Sequence, residues 1–348
     1  MSSKTENNDL VALVSDQAEL FMRLTQAGYV TSLQSHTLPI TISDKALSGA
    51  VNPDNAVLRH ENAMWSIEYQ AAAIKTNNKV EHYFATKAAN TLIEGIWHLI
   101  NSNLCSLVQI KETFQVRFRK NDLRKALKDM GSEKNGTQIN KLLTILESST
   151  LTVTKKGDRD NRNTSLSMKG TYLQNARTIT SDDPAVDGLY EAILHPVLAN
   201  DLFRGDYRDI SIQYLGSTSE LNEIYRSLIH MMRHEFTRAD ASTEQYAFTL
   251  WFDELLWSSG KLSKLKQNSK RRTLGSLESL LIKTGVISGR KNFYREWVMN
   301  GAAGEKDFKI VLTPSIEWGK DQRRSNQKFK LLQQKVQEIT YKTTLLLD

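Results

Sequence analysis

The sequence predicts an α+β fold, mainly helical, in which one unit of helices and short strands is used twice behind an N-terminal helical extension. Three observations carry this. The chain has 348 residues, room for two domains and a short third element at roughly 100–200 residues per domain. The order of elements is the same in its two halves. Its basic charge is confined to one stretch of the second half.

The first unit opens with a helical pattern from Glu81 to about Asn103, where Phe84, Ala88, Leu92, Ile96 and Ile100 recur every four residues and form one stripe. Leu107 to Ile110 and the alternating Phe114, Val116 and Phe118 predict strand. A short helix over Asn121–Met130 is broken by Gly131, as glycine commonly breaks a helix just past its end. A second helix, Thr137–Glu147, leads to the β-rich Leu151-Thr152-Val153-Thr154 and a polar hairpin tip at 157–163, with return through 165–173.

The second unit repeats the order. A helix over Ser219–Phe236 aligns Leu221, Ile224, Leu228 and Met231. Tyr246, Phe248 and Leu250 alternate as a strand, Phe252–Trp257 is a short helix stopped by Gly260, and Ser269–Thr284 is the next helix. Val286-Ile287, a polar turn at Ser288–Lys291 and a long excursion through Gly301 and Gly304 lead to a returning strand, Phe308–Leu312. Adding 135 maps Ile139, Leu142, Ile145, Leu146 and Leu151 onto Leu274, Leu277, Leu280, Leu281 and Val286; Leu143 falls on Glu278 and breaks the match. An offset of 132 takes Leu123 to Leu255, and the three-residue difference falls in the turn, where insertions are tolerated. Helix, strand, helix, helix, strand, wing and strand is the winged-helix order, in which the second helix of the pair can enter a major groove.

The charge is local. Residues 255–295 hold ten Lys/Arg and one acid, Glu278, a sum of +9, so the rest of the chain carries −2 of the total +7. Such localisation is the expected footprint of a nucleic-acid contact, against the alternative of a solvated Lys-rich loop. The predicted reader is Lys261, Lys264, Lys266, Gln267, Asn268, Lys270, Arg271 and Arg272, with Arg290, Lys291 and Arg295 following. Lys and Arg suit phosphates, Arg suits guanine edges, and Gln or Asn suits adenine. The first unit offers Lys134, Asn135, Gln138 and Lys141 around its turn, and Lys155, Lys156, Arg159 and Arg162 on its wing beside Asp158 and Asp160. Its mixed charge fits DNA contact or pairing between copies.

The span 82–315 resembles the theta-type plasmid replication initiators, the RepA/TrfA-like group with tandem winged helices. The resemblance lies in Ile139-Asn140-Lys141-Leu142-Leu143 leading to Ser148-Ser149-Thr150-Leu151, and in the connector His195 to Tyr207. It implies binding to repeats (iterons) at a plasmid origin, opening of the adjacent duplex, and recruitment of a host initiator and helicase. A homodimer is a further expected partner. A transcriptional regulator binding promoter operators is the alternative, and a nickase or nuclease the third class.

No catalysis, cofactor or metal is expected. Gly260-Lys261 has no upstream glycine and is followed by Leu262, so it is not a phosphate-cradling loop. No His-x-His pair is present for a nickase metal. His230 and His234, one turn apart, read as surface histidines without a third ligand. Cys105 reads as a small buried hydrophobe. A single cysteine, no apolar run near about 18 residues and a polar opening at Met1–Asp9 predict a reducing cytoplasm, with no membrane span or secretory leader.

The expected divisions are 1–80, an extension of helix (around 9–28) and linker; 81–178, the first unit; 179–215, an acidic connector; 216–315, the second unit; and 316–348, a basic terminal helix. The first of these either meets a partner or packs back on the chain. The last either extends the DNA contact or docks.

Overall fold

The computed structural model describes residues 29–33, 38–76, 79–110, 113–156, 166–199, 207–211, 220–236, 247–301, 304–327 and 330. The expected helix at 9–28 lies outside them. Strands start well before residue 81. β1 (Tyr29–Leu33) pairs antiparallel with β12 (Tyr207–Ser211). β2 (Val57–Glu61) and β3 (Trp65–Gln70) form a hairpin whose turn is tied by Asn62, its side-chain oxygen accepting the Met64 and Trp65 N–H groups. β4 (Ala72–Thr76) and β5 (Lys79–Tyr83) form a separate ribbon. The helical stripe drawn from Glu81 therefore begins later, at α1 (Lys87–Asn101), because 79–83 is strand. α1 is buried on nearly every side, Trp97 and Leu99 completely, which makes it an internal helix rather than an amphipathic surface one.

β6 (Cys105–Ile110), β7 (Thr113–Phe118), α2 (Lys120–Asp129) and α3 (Gly136–Ser148) follow. β8 (Thr150–Lys155) and β9 (Leu166–Thr171) extend the β2–β3 hairpin into a sheet of order β2-β3-β8-β9. β10 (Leu173–Thr178) pairs with β11 (Tyr190–Leu194), and β11 in turn pairs with β7, giving β10-β11-β7-β6. In the second half, α4 (Glu220–Glu235), β13 (Phe248–Trp251), α5 (Phe252–Ser258) and α6 (Gln267–Lys283) precede a hairpin of β14 (Phe293–Asn300) and β15 (Glu305–Leu312), with sheet order β13-β15-β14.

Two expectations are corrected here. The chain is α+β but not mainly helical: among the described residues fifteen strands lie in five sheets, every ladder antiparallel. The extra strands are β1–β5 in and across the end of the supposed extension, β10 beyond the expected return strand, β11 and β12 in the connector, and β14 in the stretch read as an excursion. The two halves also close differently. In the second half β15 lies directly on β13; in the first, the hairpin strands β8 and β9 that follow α3 join β3 instead, and only the later β11 returns onto β7, with β10 outside it.

One apolar core runs through both halves, from Ile40 and Ile67 to Leu312 and Trp318. Where α1 faces α4 the contact is polar. Arg226 is buried against the Glu94 carboxylate and donates to the Thr91 hydroxyl, and His230 Nε2 lies 3.5 Å from Glu94 Oε1. His230 is thus a buried residue, not the surface histidine expected. Cys105 is buried, and burial pushes its thiol up to about 12.

Candidate nucleic-acid interface

α6 presents two faces. Leu274, Leu277 and Leu281 are buried against the second half's own core. Turned away from them lie Asn268, Arg271, Arg272, Ser276 and Ser279, all exposed, while Gln267, in line with the leucines, is exposed as the first residue of the helix. Among the described residues nothing pairs with Arg271 or Arg272. The first turn of α6 carries no acid, and its flanking residue Lys266 makes no side-chain cap, so the helix opens with unneutralised N–H groups beside cations. Lys264 in the preceding turn is 92% exposed, its nearest acid Glu305 at 3.9 Å. Sequence reasoning did not single out the small residues that continue this face beyond the cations. Ser276 and Ser279 are short and exposed, so another surface can approach the helix closely there, whereas Gly275 faces the Arg295 guanidinium; the signal was their spacing away from the leucines.

Two of the predicted cations do not belong to this face. Lys270 is buried: its ammonium donates to Asp253 at 2.5 Å and Asp307 at 2.9 Å, and lies 5.7 Å from the Trp297 ring centre. Burial opposes its charge, but the bonds to the two aspartates outweigh this and raise its pKa. It is a brace, tying α6 to the start of α5 and to β15. Lys261 is likewise covered, its ammonium 2.9 Å from Asp44. Gln267, Asn268, Lys266, Arg271 and Arg272 remain accessible.

On the hairpin side, Arg290 is 89% exposed and Arg295 half-buried. Arg290 and Arg295 both lean toward Glu278, at 3.9 and 3.8 Å, so the one acid of the basic stretch is matched by them. Lys291 is exposed in the short turn before β14.

In the first half the predicted residues are mostly engaged. Asn135 and Gln138 form a reciprocal cap on α3, each side-chain oxygen accepting the other's backbone N–H. Lys134 donates to the Ser132 hydroxyl. Lys156 is held by Glu61 and the Asn62 carbonyl rather than standing on a wing. Lys141 is exposed, with its ammonium 4.0 Å from the Tyr83 ring centre. Lys155 is exposed; Arg159 and Arg162 lie outside the described residues. Among the described residues, no three His, Cys, Asp or Glu side chains gather as a metal site, and no helix is long and apolar enough to cross a membrane.

Fold and site together define a two-half α+β protein in which the exposed face of α6 is cationic and the helix is braced from behind. No family model matches the chain, and no curated protein does. Two solved structures of RctB domains 2 and 3 are similar to it. One, a selenomethionine form, covers 79% of this chain and 97% of its own at 10% identity and TM-score 0.40. The other covers 79% and 98% at 13% identity and TM-score 0.36. At these scores the likeness assigns neither a family nor a role.

Proposed function

We propose that this chain is a DNA-binding replication initiator that recognises double-stranded repeats at a plasmid origin and catalyses no reaction itself. The observation that carries DNA binding is the exposed face of α6, with Arg271 and Arg272 beside Gln267 and Asn268 and Lys264 and Lys266 leading in. A helix entering a major groove needs polar, basic residues at its N-terminal end and an apolar back held by its own protein. The initiator role, with opening of the adjacent duplex and recruitment of a host initiator and helicase, is supported by the resemblance of 82–315 to the plasmid initiators.

The test is an anisotropy titration of a mixed-sequence duplex across a salt series. Each lost phosphate contact lowers the log–log salt slope by about 0.9, so an Arg271→Ala/Arg272→Ala variant is expected to lose about 2 units of slope along with affinity. Unchanged affinity and slope reject α6 as the reader. Footprinting across the parent replicon tests the rest: protection of a repeat array beside an AT-rich segment is expected, and protection confined to a promoter operator overturns the initiator role.

A further inference from the structure

The turn that delivers α6 is gripped by residues from the far end of the sequence. Asp44 Oδ1 accepts from the Lys261 ammonium at 2.9 Å and the Ser263 hydroxyl at 2.6 Å. Its Oδ2 accepts from the Leu262 N–H at 2.6 Å and the Ser263 N–H at 3.3 Å. The neighbouring Ser43 N–H donates to the Gly260 carbonyl at 3.0 Å. Gly260 has φ +74°, and a Cβ there would overlap the Thr41 carbonyl oxygen, so the arm seats directly on the turn. The arm itself is fixed. The Tyr69 and Tyr172 hydroxyls donate to the Pro39 and Ile40 carbonyls, and Ile42 bonds through its backbone to Ala85 and Lys87 at the start of α1.

The residues gripped are those just before the exposed cations. Lys261, Lys264 and Lys266 fall within six residues, and like charges so close favour a splayed loop. One carboxylate engages the first of them and two successive N–H groups beyond it. Burial works against the Asp44 charge, but bonds from Ser263, Lys261 and Leu262 outweigh it and hold its pKa below the usual carboxylate value.

We propose that Asp44 is a positioning residue for duplex binding, setting the course of the turn so that Lys264, Lys266 and the first turn of α6 meet the phosphates together. The inference rests on α6 being the DNA-reading helix. It makes a prediction opposite to simple electrostatics. An acid near a phosphate-binding surface repels DNA, so charge alone predicts that removing Asp44 tightens binding. Positioning predicts that it weakens.

The experiment uses the full chain and the same mixed-sequence duplex. Asp44→Ala is expected to bind about tenfold more weakly, with a salt slope lower by about 1 as one phosphate contact is lost. The Leu262 and Ser263 amides should exchange faster with deuterium. Asp44→Asn keeps an acceptor oxygen for those amides and should recover most of the affinity although it, too, has lost the negative charge. A folded Asp44→Ala that binds as well as the parent, or better, overturns the proposal. If it does so while Arg271→Ala/Arg272→Ala loses binding, the role of α6 stands and only Asp44 falls. If neither variant weakens binding, or the parent binds no duplex, both fall. Should Asp44→Ala fail to fold, Ser263→Ala removes a single bond to Asp44; a loss of a few-fold is expected, and unchanged binding is the refuting result.

Discussion

Replacing Lys270 by methionine separates a brace from a DNA contact. The side chain is 7% exposed and Asp307 is 3% exposed, whereas Asp253 is 50% exposed. Methionine keeps the volume and removes the ammonium, leaving two carboxylates facing each other. Two unit charges about 5 Å apart repel by about 3 kcal/mol at an effective dielectric near 20. Breaking a buried pair by removing one partner costs about 3–5 kcal/mol. Water reaches Asp253 and screens it, so the lower end applies, about 3 kcal/mol. Asp307 cannot swing out to water easily, because its Oδ2 also accepts the Asp253 N–H at 2.8 Å. The assay is urea unfolding of Lys270→Met and of Lys270→Met/Asp307→Asn, in which removing one carboxylate should restore part of the loss. The pKa of Lys270 is raised, so its contribution is complete below the ordinary lysine value and disappears only as pH rises through the higher folded one. The difference between variant and parent should therefore be constant from about pH 6 to about pH 9. A stability change under about 0.5 kcal/mol, within the range of an ordinary surface substitution, would refute the brace.

Glu223 is buried facing Asn90 and Arg226, and burial, reinforced by the Glu94 charge, pushes its carboxyl up to about 7 against the pull of Arg226 and Lys87. The folded state then keeps a proton that the unfolded chain releases, so this group's contribution falls as pH rises from its ordinary value of 4.5 to about 7. Glu223→Gln should flatten the stability–pH profile between about pH 5 and about pH 7 in urea unfolding, and an unchanged slope would count against the assignment. Gly131 and Gly260 end corresponding helices with φ of +72° and +74°, yet only Gly260 is overhung by another segment. Gly131→Ala should cost about 1–2 kcal/mol for the left-handed backbone alone, and Gly260→Ala clearly more; equal losses by calorimetry would mean that the arm yields freely.

The helices were legible because their buried stripes are periodic. Leu123 and Leu255, and Ile139, Leu146, Leu274 and Leu281, are all buried, as the offset between the halves requires, but Leu142 and Leu280 are only half-buried where their counterparts Leu277 and Ile145 are buried. The fate of Lys270 was also written in that periodicity. Positions 270, 274, 277 and 281 share one helical stripe, so extending the leucine face back one turn places a lysine inside. Reading the run 261–272 by charge alone hid this. What could not be read are its partners. Asp253 and Asp307 stand 17 and 37 residues away, and only the return of β15 brings them together. The strands of 57–83 are a different case. Ile67 and Tyr69 alternate inward on β3, a signal available to a period-two scan, but assigning 1–80 to an extension removed that stretch from consideration.

Asp44 marks the deeper limit. A lone acid in a segment with Pro39, Gly49 and Pro53 nearby carries no periodic signal, and its four acceptor contacts lie more than two hundred residues on. The placement nevertheless has a physical logic. Ile42 and Ser43 are consecutive, and their peptide groups bond in opposite directions: Ile42 to Ala85 and Lys87 at the start of α1, Ser43 to Gly260 at the turn before α6. An extended strand points successive groups to opposite sides, so one short segment can hold two elements without needing a sheet of its own. A rotation of α6 relative to α1 would break these bonds or drag the arm, and the buried Tyr69 and Tyr172 hydroxyls, bonded to the two preceding carbonyls, resist the drag. The orientation of the cationic helix is therefore a property of the whole chain rather than of its C-terminal half, even though every exposed group on that face comes from residues 264–279.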